Sequence, residues 1–237
     1  MSGHSKWANI RFRKEIKDKR KGKLFSKLAR DITIAVKLGG PDPDSNPRLR
    51  IALQAAKAAN LPKENIERAI KRGTGEGKEK LEEFLVEGYG PLGVAVLVKC
   101  VSDNRNRTLS EVRHLFNEHG GKLAEAGGVK WMFKPKGRIV VAKDSKDAEE
   151  IELAVIESGA DDYQKEEDII VVYTEPTKLE QVKENLEKAG LKIEALSLGY
   201  EADNLISVPE DKKEKILKFL EALEELEDVS EVYANLA

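Results

Sequence analysis

Three observations predict a multi-domain α and α+β protein, with an N-terminal three-helix bundle followed by two α/β domains. Over the first 75 residues the apolar side chains fall only at helical spacing; beyond them strand patterns alternate with helical ones; and the charge changes sign at the same place. The 237 residues also exceed what one small module with a single core would need.

In the first segment, Leu24, Phe25, Leu28, Ile32 and Ala35 recur on one helical face, and Gly39-Gly40-Pro41 ends the run. Asn46 followed by Pro47 is a cap and first-turn pair, and Leu49, Ala52, Leu53 and Ala56 line one face of a second helix as far as Asn60. Pro62 opens a third, with Ile66, Ala69 and Ile70 inward and Arg68, Lys71 and Arg72 on the opposite side. Gly73-Thr74-Gly75-Glu76-Gly77-Lys78 then reads as a flexible linker. Its glycine spacing, Glu79 after the lysine and the preceding helix all disagree with a phosphate-binding loop.

Past the linker, Val94, Val96, Val98 and Cys100 alternate with Ala95, Leu97, Lys99 and Val101, which predicts a strand buried chiefly on the first set's face, with Cys100 as a core thiol. A helix is expected over 108–118, with Leu109, Val112, Leu115 and Phe116 inward, and a strand over 129–133. Residues 137–202 then read as strand 138–142, helix 147–158, strands 162–165 and 169–173, helix 178–189 and strand 193–200. That order, βαββαβ, is ferredoxin-like. A final helix, capped by Ser207 with Glu210 three residues on, and a strand at 229–233 close the chain. The expected domains are therefore 1–75, then 79–135 plus 204–237, with 136–203 inserted into the latter.

Composition narrows the function. No apolar run approaches membrane-spanning length and the N-terminus has no apolar signal core, so a cytoplasmic protein without membrane contact is expected. The single cysteine suits a reducing compartment, and three dispersed histidines offer no metal site. No catalytic motif or cofactor fingerprint is present, and Glu149-Glu150 and Glu224-Glu225 read as solvated helix faces. The expectation is a non-enzyme without cofactor. The strand segment Lys136-Gly137-Arg138-Ile139-Val140-Val141 also lacks the aromatics of an RNA-recognition module.

Charge supplies the positive signal. Lys and Glu dominate a chain that is 35% charged, a bias of proteins from very hot environments, so only an uneven distribution is informative. Residues 1–75 carry net +12 and the remainder net −14. Within residues 1–30, Lys6, Arg11, Arg13, Lys14, Lys17, Lys19, Arg20, Lys21, Lys23, Lys27 and Arg30 face only Glu15 and Asp18, the density that phosphate neutralisation requires. Trp7 and Phe12 lie among them, either to stack on exposed bases or to dock the tail on the bundle.

Several stretches resemble the YebC family across essentially the whole chain. They are Gly3-His4-Ser5-Lys6-Trp7-Ala8-Asn9-Ile10, Asn65-Ile66-Glu67-Arg68-Ala69-Ile70-Lys71-Arg72-Gly73, Gly88-Tyr89-Gly90-Pro91, Asp103-Asn104-Arg105-Asn106-Arg107-Thr108 and the tail 229–235. The resemblance implies three domains and a DNA-binding transcriptional regulator. Relatives also include the mitochondrial translational activator of cytochrome c oxidase and bacterial members tied to the ribosome and to translation through proline runs, so ribosomal RNA is the alternative partner. It places nucleic-acid contacts on Lys6, Trp7, Arg11, Arg13 and Lys14, and on Arg48, Arg50, Arg68, Lys71 and Arg72. Asn104, Arg105 and Arg107 read either as a helix cap or as a second contact with a polyanion or protein. The acidic α/β domains would limit nonspecific adhesion or recruit a basic protein partner. At Leu123-Ala124-Glu125-Ala126-Gly127-Gly128 the sequence departs from the family's usual Leu-Gly and Gly-Ser.

Overall fold

The structure is a computed structural model; it describes Trp7 and residues 21–76, 80–143, 148–166 and 168–237. Helix α1 (Lys21–Gly39), α2 (Pro47–Ala58) and α3 (Lys63–Lys71) pack around Ile32, Ala35, Val36, Leu49, Ala56, Leu61 and Ala69. Their order comes from the turn chemistry. The Asn46 Oδ1 accepts from the Leu49 amide at 3.0 Å, while its amide nitrogen donates to the carbonyls of Ala35 and Gly40, both at 2.8 Å, so one side chain caps α2 and ties it to the end of α1. Gly77 and Lys78 of the expected linker lie outside the described residues, and residues 72–76 continue α3 as a π turn. The reason is close packing: a Cβ on Gly73 would meet the Val36 Cβ at 2.5 Å and the Thr33 carbonyl at 2.7 Å.

Strands β1 (Glu82–Tyr89), β2 (Ala95–Ser102), β3 (Lys122–Leu123) and β8 (Val229–Ala234) form one antiparallel sheet in the order β3-β1-β2-β8. Its first face lies under α4 (Arg105–Glu118) and α7 (Glu210–Glu225), where Val96, Val98 and Cys100 meet Phe116, Phe219 and Leu220. Burial pushes the Cys100 thiol up to about 12, in keeping with an inert core residue. The opposite face of β2 is buried as well, which corrects the one-sided expectation. Val101 packs with Ile34 of α1, and Ala95 and Leu97 lie against Val129, Phe133 and Ala202.

The second sheet runs β5-β6-β4-β7, all antiparallel, from β4 (Phe133–Ala142), β5 (Asp162–Lys165), β6 (Ile169–Thr174) and β7 (Ile193–Ala202), with α5 (Ala148–Glu157) and α6 (Leu179–Lys188) between them. β4 already pairs with β7 at Phe133, so the expected boundary at 135/136 falls inside a continuous strand. Two further expectations change. Residues 130–132 form a 3-10 turn instead of a strand, and the last helix starts after Pro209, with no side-chain cap, so Ser207 does not cap it. Between them, helices α1 and α2 touch both sheets, and Ile51 of α2 enters the apolar core beneath the second.

Candidate nucleic-acid interface

α1 and α3 present their cations differently. On α1 they turn toward the acidic end of α7. Lys23 pairs with the Glu225 carboxylate at 2.7 Å, Lys27 donates to the Glu224 carbonyl at 2.6 Å, and Arg30 reaches Glu227 and Asp228, each at 2.8 Å. Lys37 donates to the Leu81 carbonyl at 2.8 Å. Glu224 and Glu225 are therefore the seat of the N-terminal helix, not simply a solvated face. On α3, Arg68, Lys71 and Arg72 are exposed. Arg30, Arg68 and Arg72 line a cleft of about 500 Å³ between α1, α3 and the first sheet, whose other wall holds Asp103 and Glu227.

The remaining candidates separate into groups. Lys6, Arg11, Arg13, Lys14, Lys17, Lys19 and Arg20 lie outside the described residues, as does the Lys21 side chain. Trp7 is 1% exposed within the core of the first sheet, and its indole N–H donates to the Val232 carbonyl at 2.9 Å. That removes it from the set of side chains able to stack on a base. Its ring is seated on the first sheet and not against α1, α2 or α3, and Phe12 lies outside the described residues. Arg48 makes a two-pronged ion pair with Glu83 at the start of β1, and Arg50 pairs with Glu180 of α6 at 3.5 Å and donates to the Pro43 carbonyl. These two arginines fasten α2 to β1 and to α6 and do not join the α3 cations.

The second candidate group is largely structural. Asn104 Oδ1 accepts from the Arg107 amide at 3.1 Å and caps α4. Arg107 donates to Asp103 and Asp228, while Arg105 is exposed with its guanidinium 4.5 Å from the Phe84 ring centre. Sequence reasoning missed the residue that organises this corner. Asp228, 4% exposed in its side chain, accepts from Ser102, Thr108, Arg107 and Arg30 at 2.7–2.8 Å.

At the other end of the sheet stands a second unanticipated carboxylate. Glu87 of β1 accepts from the amides of Gly127, Val129 and Lys130 at 2.6–2.8 Å. Burial would raise its carboxyl, but those three amides hold it below the usual range. A charge between Val86 and Gly88, after the apolar run Phe84-Leu85-Val86, was the available signal. Among the described residues, no group of three or more His, Cys, Asp or Glu is arranged to hold a metal ion. No helix there is long and apolar enough to cross a membrane.

With this geometry in hand, comparison with known proteins is decisive for ancestry. A family model for the TACO1/YebC N-terminal domain matches residues 5–76, and one for the TACO1/YebC second and third domain matches residues 81–236. The chain belongs to the TACO1/YebC family. A protein of Persephonella marina named probable transcriptional regulatory protein is 50% identical over 238 residues, covering 99% of this chain and 95% of its own. One of the same name from Thermotoga maritima is 49% identical over 237 residues, covering 99% and 93%. The crystal structure of a conserved hypothetical protein from Aquifex aeolicus matches with a TM-score of 0.87 at 50% identity, over 93% of this chain and 91% of that one. The mixed α and β architecture of this TACO1/YebC member is thus shared with a solved relative.

Proposed function

We propose that this chain is a non-enzymatic regulator that grips nucleic acid, in the first instance duplex DNA, through its basic N-terminal helical domain. The observation that carries the reading is the charge of residues 1–75, net +12, together with the exposed Arg68, Lys71 and Arg72 beside the arginine-lined cleft. Each phosphate neutralised releases condensed counterions, a gain that needs no sequence-specific contact. The names of the relatives support a role in transcription. A lone buried cysteine supports a cytoplasmic setting. The strand order of the second sheet supports reading it as a ferredoxin-like unit inserted into the first α/β domain, to which the tail strand β8 returns. Ribosomal RNA is the second reading, favoured by the exposed indole of Trp131, because a duplex keeps its bases stacked inside.

Deleting residues 1–75 would be a poor test, since it also removes Trp7 and Ile51 from two cores. The full chain carrying Arg68→Glu, Lys71→Glu and Arg72→Glu is the better probe, measured against random DNA, promoter DNA and ribosomes over a salt series. Affinity should fall at least ten-fold, and the slope of log K against log salt should shrink by up to about 2.7 if all three contact phosphates. Unchanged affinity and slope for every target would overturn the proposal. Preferential ribosome retention at physiological salt would replace DNA by RNA as the target.

A further inference from the structure

Trp131 is 66% exposed, whereas Trp7, the only other tryptophan in the chain, is 1% exposed. Single exposed apolar residues are ordinary, so exposure alone says little. What surrounds Trp131 says more. The loop that carries it is held by Glu87, a carboxylate 7% exposed, through the amides of Gly127, Val129 and Lys130. The Gly128 carbonyl accepts from the Tyr89 hydroxyl at 3.1 Å and from the Trp131 indole N–H at 3.2 Å. The ring's one polar group is therefore satisfied within the loop, its orientation is set, and its apolar surface is left to water. Lys122 and Lys130 are exposed at the same end of the sheet, as is Leu92, held at φ +59° in the turn after β1.

From this geometry we infer that the loop around Trp131 is a stacking site for an unpaired nucleobase, with Lys122 and Lys130 placed to meet the flanking phosphates. A fixed indole with a satisfied N–H offers π surface and no directional hydrogen bond. That suits a base face of any sequence and gives nothing to a base pair still inside a duplex. The inference rests on the nucleic-acid reading above and adds a second contact to it. The cleft beside the α3 cations reaches Leu81, just before β1, whereas the loop meets β1 at Glu87 and Tyr89, so the site lies toward the opposite end of a strand about 23 Å long at 3.3 Å per residue. A target strand would touch the protein at two places.

The test uses the full-length chain, because its two tryptophans divide cleanly into one buried and one exposed. Single-stranded RNA and DNA 12-mers and a duplex of the same sequence are titrated while tryptophan emission and affinity are followed. The single strands should quench the exposed part of the emission and the duplex should not. Trp131→Ala should weaken single-strand binding about ten-fold, equivalent to 1.4 kcal/mol, and leave duplex binding unchanged. Trp131→Phe, which keeps a ring, should retain most of the affinity. The RNA and DNA arms decide which sugar the site prefers. Salt-dependent binding of single strands with neither quenching nor a Trp131→Ala effect would overturn this inference and leave the nucleic-acid reading standing. No salt-dependent binding of any strand or duplex would overturn both. Self-association that is lost in Trp131→Ala, without quenching by nucleic acid, would assign the ring to a contact between copies and overturn the inference as well.

Discussion

Asp228 accepts hydrogen bonds from two hydroxyls and two guanidinium groups, a set that favours the ionised carboxyl. Burial works to raise its carboxyl, but Arg107, Thr108, Ser102 and the charge of Arg30 bring it below the ordinary aspartate value. Stability held by such a group is fully present above the unfolded-state pKa, about 3.9, and is lost as pH falls through the lower folded value. Asp228→Asn should therefore destabilise the protein by about 2–3 kcal/mol at pH 7, reduced from the fully buried case because Arg107 is half exposed. In urea unfolding, the gap between variant and parent should narrow below about pH 4. A gap constant from pH 7 to 3 would contradict this role. Nothing local announces Asp228, which sits among Glu224, Glu225 and Glu227 and meets partners between 120 and 198 positions away. Trp7 was ambiguous for the same reason, since an aromatic among lysines reads equally well as a stacking ring or as an anchor until its neighbours are known.

At the scale of single elements, the sequence was most legible where local chemistry decides. Asn46-Pro47 started α2 where expected, and the helix periods of α1, α6 and α7 were readable because one face is apolar throughout. Readings failed where a distant group intervened. Val129 to Phe133 looks like a strand by composition, but Glu87 draws the amides of Val129 and Lys130 onto its carboxylate, so they cannot enter a ladder. Ser207 has the spacing of a cap, yet the helix begins after Pro209. The Asn46 junction gives a prediction at this scale. Asn46→Asp keeps the acceptor for the Leu49 amide but loses both donors and sets a carboxylate against the carbonyls of Ala35 and Gly40. A loss of about 2 kcal/mol is expected by chemical denaturation, whereas a typical exposed N-cap would tolerate the exchange. No loss would mean that the cap alone matters.

The whole molecule is held together across its parts. Trp7 belongs to the core of the first sheet, Ile51 to that of the second, and Val101 of the first sheet packs with Ile34 of α1. Ion pairs follow the same seams. Burial alone would lower the Lys99 ammonium, but Glu231, Asp31 and Glu83, drawn from β8, α1 and β1, more than reverse that. Calorimetry should accordingly show one unfolding transition, with calorimetric and van't Hoff enthalpies in agreement. Two separated transitions would mean that the bundle and sheets are independent. This integration was the least legible property of the sequence, because the charge asymmetry at residue 75 suggests detachable halves. Four of the cations that create the asymmetry, Lys23, Arg30, Arg48 and Arg50, are among those answered by carboxylates from beyond it.

The bond between the Trp7 indole and the Val232 carbonyl spans 225 positions, and it has a consequence for how the protein is made. On a ribosome, Trp7 is made 225 residues before the strand position that receives it. The first sheet stays one strand short, with the edge of β2 that faces away from β1 open, until residues 229–234 have been made. Segments that fold as units during synthesis can form early, but this sheet cannot close before β8 is made. Trp7 and Lys23 therefore wait for roughly 200 further residues before their final partners exist.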